Sequence, residues 1–152
     1  MLEPSAGTGN LASLAVDKGA IVDCVEIQPG LADQLRRSGR YRNVAEVDFL
    51  ALQPDPGRLY DCVVMNPPFD RERDIDHVMH ALRFLKPGGI LTAIMSAGTE
   101  FRETRKSIAF RALMEKMNAS WRDLPHGSFS EVGTNVNTVI LKVRADGRRH
   151  HG

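Results

Sequence analysis

The chain has 152 residues, 42% hydrophobic and 26% charged, a composition that fits one globular domain and excludes a disordered or fibrous protein. Its longest uncharged apolar runs have only the length of a strand, which excludes a bilayer-spanning segment, and its first residues lack the pattern of a secretory signal. The net charge of +1 combines 8 Lys and Arg against 13 Asp and Glu in residues 1–76 with 12 against 6 in residues 77–152, so the second half can present a basic face.

Segments typical of strands and helices alternate along the chain. The predicted strands are residues 20–26, 43–48, 59–65, 90–95 and 137–143, with a turn at 86–89. Apolar residues at helical spacing predict three helices with these buried faces: Leu11, Leu14 and Ala15; Ile75, Val78, Met79, Leu82 and Leu85; Phe110, Leu113, Met114 and Met117. The alternation predicts an α/β fold of Rossmann-like type: a doubly wound, mainly parallel sheet with an antiparallel last strand and helices on both faces.

We expect a single domain over residues 1–152, in which 145–152 form a flexible tail. Only Leu2 and Glu3 precede a glycine-rich turn that normally follows a complete central strand, so the chain is expected to start inside its first strand or to be a shortened form. A short central strand loses ladder hydrogen bonds, which predicts a stability penalty or an oligomeric remedy. Cys24 and Cys62 lie among strand-forming residues and are interpreted as buried thiols of a reducing compartment.

The glycine-rich turn lies in the segment Glu-Pro-Ser-Ala-Gly-Thr-Gly-Asn-Leu-Ala, residues 3–12. Gly7 and Gly9 allow a sharp passage from strand to helix and a close approach of a ligand to main-chain amides. Gly7 and Gly9 with Ala12 also satisfy the dinucleotide fingerprint, and Glu26 at the end of the next strand could hold ribose hydroxyls. A nicotinamide cofactor therefore remains an alternative, as does a turn without a ligand.

The same segment resembles the first motif of class I S-adenosylmethionine-dependent methyltransferases, of the type found in adenine-modifying enzymes. The resemblance implies that S-adenosylmethionine is the cofactor. It implies that Glu26 binds the cofactor after the second strand, that Asp48 after the third strand accepts from the adenine amino group, and that Ile27 or Phe49 packs on the adenine ring. The candidate cofactor residues are Glu3, Pro4, Ser5, Gly7, Gly9, Glu26, Ile27, Asp48 and Phe49.

The segment Asn66–Phe69 follows the predicted strand 59–65 and reads Asn-Pro-Pro-Phe. An aromatic amine is a poor nucleophile until both of its N–H groups are held by acceptors, and the Asn66 side-chain oxygen and the Pro67 carbonyl can supply two. Pro68 stiffens the loop and has no N–H to compete for that carbonyl, and Phe69 offers a face for a flipped base. The alternative is a rigid loop that ends a buried strand.

These four residues resemble the fourth motif, NPPF, of amino-methyltransferases that act on adenine. The resemblance implies that Asn66, Pro67, Pro68 and Phe69 carry a direct methyl transfer, without a metal or a covalent enzyme intermediate. It extends from Glu3 to about Val143, and residues 70–137 look most like phage and prophage methyltransferases. The N-terminal helix of the family, a target-recognition domain and a helix within residues 43–60 are missing from the pattern.

Three weaker signals have two interpretations each. The acids and histidines Asp74, Asp76, His77 and His80 suit a metal site less well than the polar face of a helix, so no metal is predicted. Arg102, Arg105 and Lys106 beside Phe101 could contact nucleic-acid phosphates or form the solvated start of a helix. Residues 127–135 form either a substrate-facing loop or a simple connection.

The sequence therefore predicts an enzyme that methylates the exocyclic amine of adenine in DNA. RNA bases and a protein glutamine amide also present a planar amino nitrogen and stay open as substrates. A cofactor-binding subunit or an inactive remnant that needs a partner is a further alternative. We expect nucleic acid as a partner, DNA more than RNA, and a specificity subunit or a second copy of the chain as a further partner. We expect no membrane contact. The expected location is the cytoplasm of a bacterium, for a protein encoded by the bacterium or by a phage.

Overall fold

The computed structural model describes residues 1–124 and 137–146. The strands in these ranges are β1 (Leu2–Glu3), β2 (Asp23–Val25), β3 (Asn43–Ala45), β4 (Tyr60–Met65), β5 (Leu85–Ser96), β6 (Ser120–Asp123) and β7 (Thr138–Arg144). The α-helices there are α1 (Asn10–Asp17), α2 (Pro29–Ser38), α3 (Arg73–Leu82) and α4 (Arg105–Lys116). Short 3₁₀ turns lie at Phe49–Ala51, Asp70–Glu72 and Ala97–Glu100.

The described strands form one sheet in the order β3-β2-β1-β4-β5-β7-β6. Neighbours from β3 to β5 pair in parallel, whereas β7 pairs antiparallel with both β5 and β6. The direction of the strand order reverses between β1 and β4, and ligands bind at the carboxyl ends of strands at such a point. The predicted doubly wound sheet with an antiparallel end is confirmed, and β6 is a strand that the sequence pattern did not predict.

The strands beside this point are shorter than predicted. Strand β2 begins at Asp23 rather than residue 20, because Ile21 is 63% exposed and outside the ladder. Strand β3 ends at Ala45, after which the chain turns into the 3₁₀ segment. Strand β1 has two residues and is held on both sides, since Leu2 is in register with Asp23 of β2 and with Val63 of β4. The expected stability penalty of so short a strand stays a prediction.

Strand β5 begins five residues earlier than predicted, and the predicted turn at 86–89 is an irregularity inside it. Tyr60 of β4 is in register with Leu85 of β5, and Cys62 is in register with Ile90. Between these two pairs β5 therefore contains more residues than β4, which is a bulge. Gly89 is needed there, because a Cβ would lie 3.0 Å from the Lys86 carbonyl oxygen. The same bulge holds the residue after β7. The Ala145 amide donates to the Gly89 carbonyl at 2.7 Å, and Ala145 is buried.

The predicted flexible tail, residues 145–152, is therefore corrected at its first residue, where burial and a main-chain hydrogen bond hold the chain. Residues 147–152 and the predicted loop at 127–135 lie outside the described residues.

Two apolar clusters cover opposite faces of the sheet. In β2, successive side chains point to opposite faces: Cys24 joins the cluster under α1 and α2, and Val25 joins the cluster under α3 and α4. The buried face of α1 was predicted only in part. Ala15 packs against the cluster under α1 and α2, whereas Ala12 is fully buried and Leu14 is 58% exposed.

The predicted buried faces of α3 and α4 are largely confirmed. Ile75, Val78 and Leu82 are buried on α3, and Phe110 and Met114 are buried on α4. Two assignments were wrong: Met79 is 38% exposed at the edge of that face, and Leu85 already belongs to β5. None of the described helices has the length and apolar character that a membrane span requires.

Candidate active site

The glycine turn passes from β1 into α1 at the carboxyl edge of the sheet. Gly7 and Gly9 both have left-handed backbone angles, with φ of +56° and +90°. Ala6 donates to the Val25 carbonyl at 3.0 Å, and Gly9 donates to the Ala6 carbonyl at 2.8 Å, so the turn is tied to the end of β2. The residues that lead into it, Glu3 and Pro4, are buried. The predicted sharp turn is thus a rigid corner.

The two glycines have different surroundings. A Cβ at Gly9 would lie 2.7 Å from the Tyr41 hydroxyl oxygen and 2.9 Å from the Leu35 side chain. A Cβ at Gly7 would meet nothing within 4 Å. Gly9 is therefore required by packing against the helix α2 side of the turn, whereas Gly7 borders open space where a ligand can approach the backbone.

Glu26, which follows β2, is 6% exposed and contacts the glycine turn directly. Its Oε1 accepts from the Gly7 amide at 2.7 Å, and its Oε2 accepts from the Gln28 amide at 2.9 Å. The alternative of a solvated carboxylate at a strand end is therefore wrong. Glu26 keeps lone pairs for further donors, because each carboxylate oxygen can accept more than one hydrogen bond.

Glu3 is 1% exposed and only half satisfied. Its Oε1 accepts a long hydrogen bond of 3.4 Å from the Ser5 amide, and its Oε2 has no partner among the described residues. Burial raises the pKa of the Glu3 carboxyl to about 8; the Ser5 hydrogen bond opposes the shift and the nearby Glu26 adds to it. Glu3 is thus neutral at pH 7 in the ligand-free protein and lacks a donor or cation at one oxygen.

This burial predicts how stability depends on pH. The unfolded chain ionises Glu3 near pH 4.5 but the folded chain only near pH 8, so the folded state binds the extra proton between these values. The free energy of unfolding of the wild type therefore falls relative to that of Glu3→Gln as the pH rises from 4.5 to 8, and levels above 8. Urea unfolding of both proteins at four pH values measures the difference. A difference that stays constant over this range contradicts the assignment.

The two residues after β3 that were predicted to contact the cofactor differ in exposure. Asp48 is exposed, and its Oδ1 accepts from the Leu50 amide at 3.0 Å, which caps the 3₁₀ turn. Phe49 was expected as a possible ring contact of the cofactor, but it is 2% exposed and packs at centroid distances of 4.8 Å and 5.1 Å on His80 and Phe84. That role is corrected, because core side chains cover the ring. Ile27, 58% exposed, keeps a free apolar surface.

Asn66 meets the glycine turn in one cleft of about 680 Å³, here called the glycine cleft. Its lining residues are Glu3, Ser5, Ala6, Gly7, Thr8, Asn10, Leu11, Ser13, Leu14 and Asn66. The Asn66 amide makes no side-chain hydrogen bond with another described residue and is half-buried. Pro67 is buried behind it, and Pro68 and Phe69 are half-buried. Two segments far apart in sequence therefore bring an unengaged amide next to the glycine turn.

A larger groove of about 820 Å³ lies at the other end of the sheet, where the strands begin. Its lining includes Asp23, Arg42 and Tyr60, and none of the candidate site residues reaches it. Arg42 and Tyr60 already satisfy the Asp23 carboxylate at 2.7 Å each. The glycine cleft lies instead at the carboxyl ends of the strands, where α/β sheets bind ligands.

The basic residues after β5 are mostly engaged within the chain. Arg102 folds back and donates to the Ser96 hydroxyl at 3.0 Å, and Lys106 lies 3.0 Å from the Asp76 carboxylate. Arg105 forms no ion pair with another described residue, and Phe101 is 69% exposed. A phosphate contact is thus open to Arg105 more readily than to its two predicted companions.

The acids and histidines of α3 have separate tasks. Asp74 is fully buried and accepts from the Ser96 amide, and Asp76 pairs with Lys106. His80 Nε2 contacts the Leu52 carbonyl at 2.7 Å, while His77 is buried and desolvation lowers its pKa. Among the described residues, no group of three His, Cys, Asp or Glu side chains converges on a point where a metal ion would lie.

The pair that follows Asp70 has a backbone conformation that the sequence pattern did not predict. Arg71 and Glu72 have φ angles of +55° and +59°, which is unusual for two consecutive residues other than glycine. Glycine, asparagine and aspartate favour such angles, and neither residue is one of these, so the sequence carries no signal for this conformation.

Comparison with solved structures identifies the fold. A Listeria monocytogenes protein assigned to the class I S-adenosylmethionine-dependent methyltransferases has a TM-score of 0.73, with 16% identity over 95% of this chain and 53% of its own. A type I restriction-modification system methyltransferase subunit of Streptococcus thermophilus has a TM-score of 0.77, with 17% identity over 95% of this chain and 39% of its own. The plantazolicin methyltransferase, solved with S-adenosylhomocysteine, has a TM-score of 0.66, with 9% identity over 95% and 76%.

No protein-family profile matches the sequence, and no curated protein matches it in sequence. The similarity to these solved structures shows that the chain has the fold of the class I S-adenosylmethionine-dependent methyltransferases. It spans about half the length of the Listeria protein and 39% of the Streptococcus subunit.

Proposed function

We propose that the chain is an S-adenosylmethionine-dependent methyltransferase that transfers the methyl group directly to the exocyclic amino group of adenine in DNA. The observation that supports the proposal most strongly is the position of Asn66, whose unengaged amide lines the glycine cleft together with Gly7 and Glu3. The Asn66 amide, which has no side-chain partner among the described residues, would be able to accept from a substrate there.

Residues of the glycine cleft, together with candidate residues that lie outside its lining, fit the proposed cofactor. The unpartnered Oε2 of Glu3 suits the cationic amino group of its methionine part, and the open space over Gly7 suits the chain that leads to the sulfur. Glu26 follows β2, where its carboxylate would accept from the ribose hydroxyls. Asp48 would accept from the adenine amino group and Ile27 would pack on its ring, both being exposed. Ser5, with Pro4 and Gly9 behind it, would complete the wall.

The chain's own residues would act on the target amine. When bound, the cofactor would supply an electrophilic methyl carbon: its bond to sulfur would break as the bond to the target nitrogen forms, and the nitrogen would then lose one proton to water. The Asn66 side-chain oxygen and the Pro67 carbonyl would accept from the two N–H groups of the target, which localises the lone pair on nitrogen and aims it. Pro68 would restrict the backbone that presents the Pro67 carbonyl, and Phe69 would stack on the flipped base.

The proposal of DNA as substrate rests on the Streptococcus neighbour, whose name describes a restriction-modification subunit. RNA adenine and a protein glutamine amide present the same planar nitrogen and are the competing substrates. Arg102 and Lys106 are engaged within the chain, so among the three basic residues predicted to contact phosphates only Arg105 has no side-chain partner in the described part of the chain. We therefore propose that a specificity subunit or a second copy of the chain supplies further DNA contacts.

We further propose that residues 1–152 form one methyltransferase core domain that acts in the bacterial cytoplasm, including that of a phage-infected cell. Both cysteines have free thiols, which suits a reducing compartment. Cys24 is buried in β2, and burial raises the pKa of its thiol to about 12, so it has no role as a nucleophile.

The experiment that tests the proposal incubates the purified chain with methyl-labelled S-adenosylmethionine and, separately, duplex DNA, RNA and a protein with an exposed glutamine. We expect label in DNA, recovered after digestion as N6-methyladenine. Label in protein or RNA only would overturn DNA as substrate. Cofactor binding without turnover until a partner is added would favour the alternative of a cofactor-binding subunit.

A further inference from the structure

The segment that carries Asn66 ends in a strained backbone. Phe69 is followed by Asp70, and then Arg71 and Glu72 both have left-handed φ angles, at +55° and +59°. Such angles are unfavourable for residues with a Cβ and persist only where surrounding contacts enforce them. The strain lies directly between the candidate catalytic loop and α3.

One side chain, Glu72, holds this strained pair to another part of the fold. Its Oε2 accepts from the Thr104 hydroxyl at 2.8 Å and from the Ser107 hydroxyl at 2.5 Å, both at the start of α4. Ser107 is fully buried, so its hydroxyl has a fixed direction. These two hydrogen bonds lower the pKa of Glu72, which is therefore ionised at neutral pH and binds as a charged acceptor.

The next carboxylate fixes the other end of the contact. Asp74, fully buried, accepts from the Ser96 amide at 3.2 Å, where β5 ends. The start of α3 is thus attached to β5 by a buried group and to α4 by a half-exposed one. Asp74 is part of the core, whereas Glu72 lies at the surface and can be changed without opening a cavity.

From these contacts we propose that Glu72 is a positioning residue: its attachment to Thr104 and Ser107 holds the strained residues 71–72 and thereby aims the acceptors of Asn66–Phe69. The proposal rests on the proposed function only for its effect on turnover. If the attachment is lost, residues 71–72 relax to ordinary angles and residues 66–69 sample other orientations. The glycine turn, which lies on separate strands, keeps its shape.

The test compares Glu72→Ala with Glu72→Gln, whose side-chain carbonyl still accepts from both hydroxyls. Glu103→Ala is the matched control, because Glu103 is an exposed glutamate beside Thr104 that has no side-chain partner among the described residues. We expect Glu72→Ala to lower kcat about 10-fold and to change the affinity for S-adenosylhomocysteine less than about 2-fold. Glu72→Gln should keep kcat within about 3-fold of wild type, and Glu103→Ala should match wild type.

Amide hydrogen exchange of residues 66–73 provides a readout that does not depend on the reaction. Exchange should be faster in Glu72→Ala than in wild type, Glu72→Gln or Glu103→Ala. Unchanged exchange and kcat in Glu72→Ala would overturn the proposal, as would an equal loss of cofactor affinity and turnover. If wild type transfers no methyl group to any substrate, the proposed function fails, and the exchange rates alone still decide whether Glu72 holds the loop.

Discussion

We expect the replacement of Asn66 by alanine to abolish most of the proposed turnover and to leave cofactor binding intact. The side chain would contribute one of two acceptors for the target amine, and removal of one aimed hydrogen-bonding group from a reacting centre lowers kcat by roughly 100-fold or more. Because the Asn66 amide supports no other described side chain, the dissociation constant of S-adenosylhomocysteine should change less than about 2-fold. Labelled-methyl kinetics and calorimetric titration measure the two quantities.

The matched control is Asn43→Ala. Asn43 is exposed at the start of β3, at the end of the sheet away from the glycine cleft, so its removal should leave both quantities unchanged. Equal loss of turnover and cofactor affinity in Asn66→Ala would show instead that the loop has a structural role and that the acceptor assignment is wrong.

Gly9→Ala should cause the largest loss of stability among the glycine substitutions in the turn. The new methyl group would have to displace the Tyr41 hydroxyl at 2.7 Å and the Leu35 side chain at 2.9 Å, in a backbone with φ of +90°. Conformational strain and overpacking together should lower the free energy of unfolding by about 3 kcal/mol, which lowers Tm by about 10 °C. Urea and thermal unfolding followed by circular dichroism measure both.

Gly19→Ala separates the two causes. Gly19 has nearly the same φ, +92°, but a Cβ there would meet nothing within 4 Å. It should therefore lose only the conformational part, about 1 kcal/mol. If the two variants lose the same stability, the packing of Tyr41 and Leu35 on the glycine turn contributes nothing, and the account of the turn as a rigid corner is wrong.

The sheet could be predicted because its signals are local. Strand β4 ends in the apolar run Cys62–Met65, and the turn at Gly7 and Gly9 combines two residues that favour the same sharp corner. Strand β6, in contrast, reads Ser-Trp-Arg-Asp and forms only because β7 offers it an unpaired edge. Its pattern carries no strand signal, so tertiary pairing decides its structure.

The sequence predicted which residue types form the candidate site better than it predicted which of their side chains are buried. Phe49 follows Asp48, where a contact with the adenine ring of the cofactor was expected. Its side chain is instead buried in the core under α3. Leu14 has the spacing of a core residue, yet its side chain is 58% exposed and lines the glycine cleft. Glu72 gave no signal at all, because its role depends on hydroxyls of α4 that only the fold brings near.

Calorimetric titration of S-adenosylhomocysteine into the purified chain tests the central claim most directly, with NAD⁺ as the competing ligand. The arrangement of Glu3, Gly7 and Glu26 predicts binding of one S-adenosylhomocysteine per chain and no displacement of it by NAD⁺. Absence of S-adenosylhomocysteine binding, or displacement of it by NAD⁺, would contradict the assignment of the glycine cleft as a methyl-donor site.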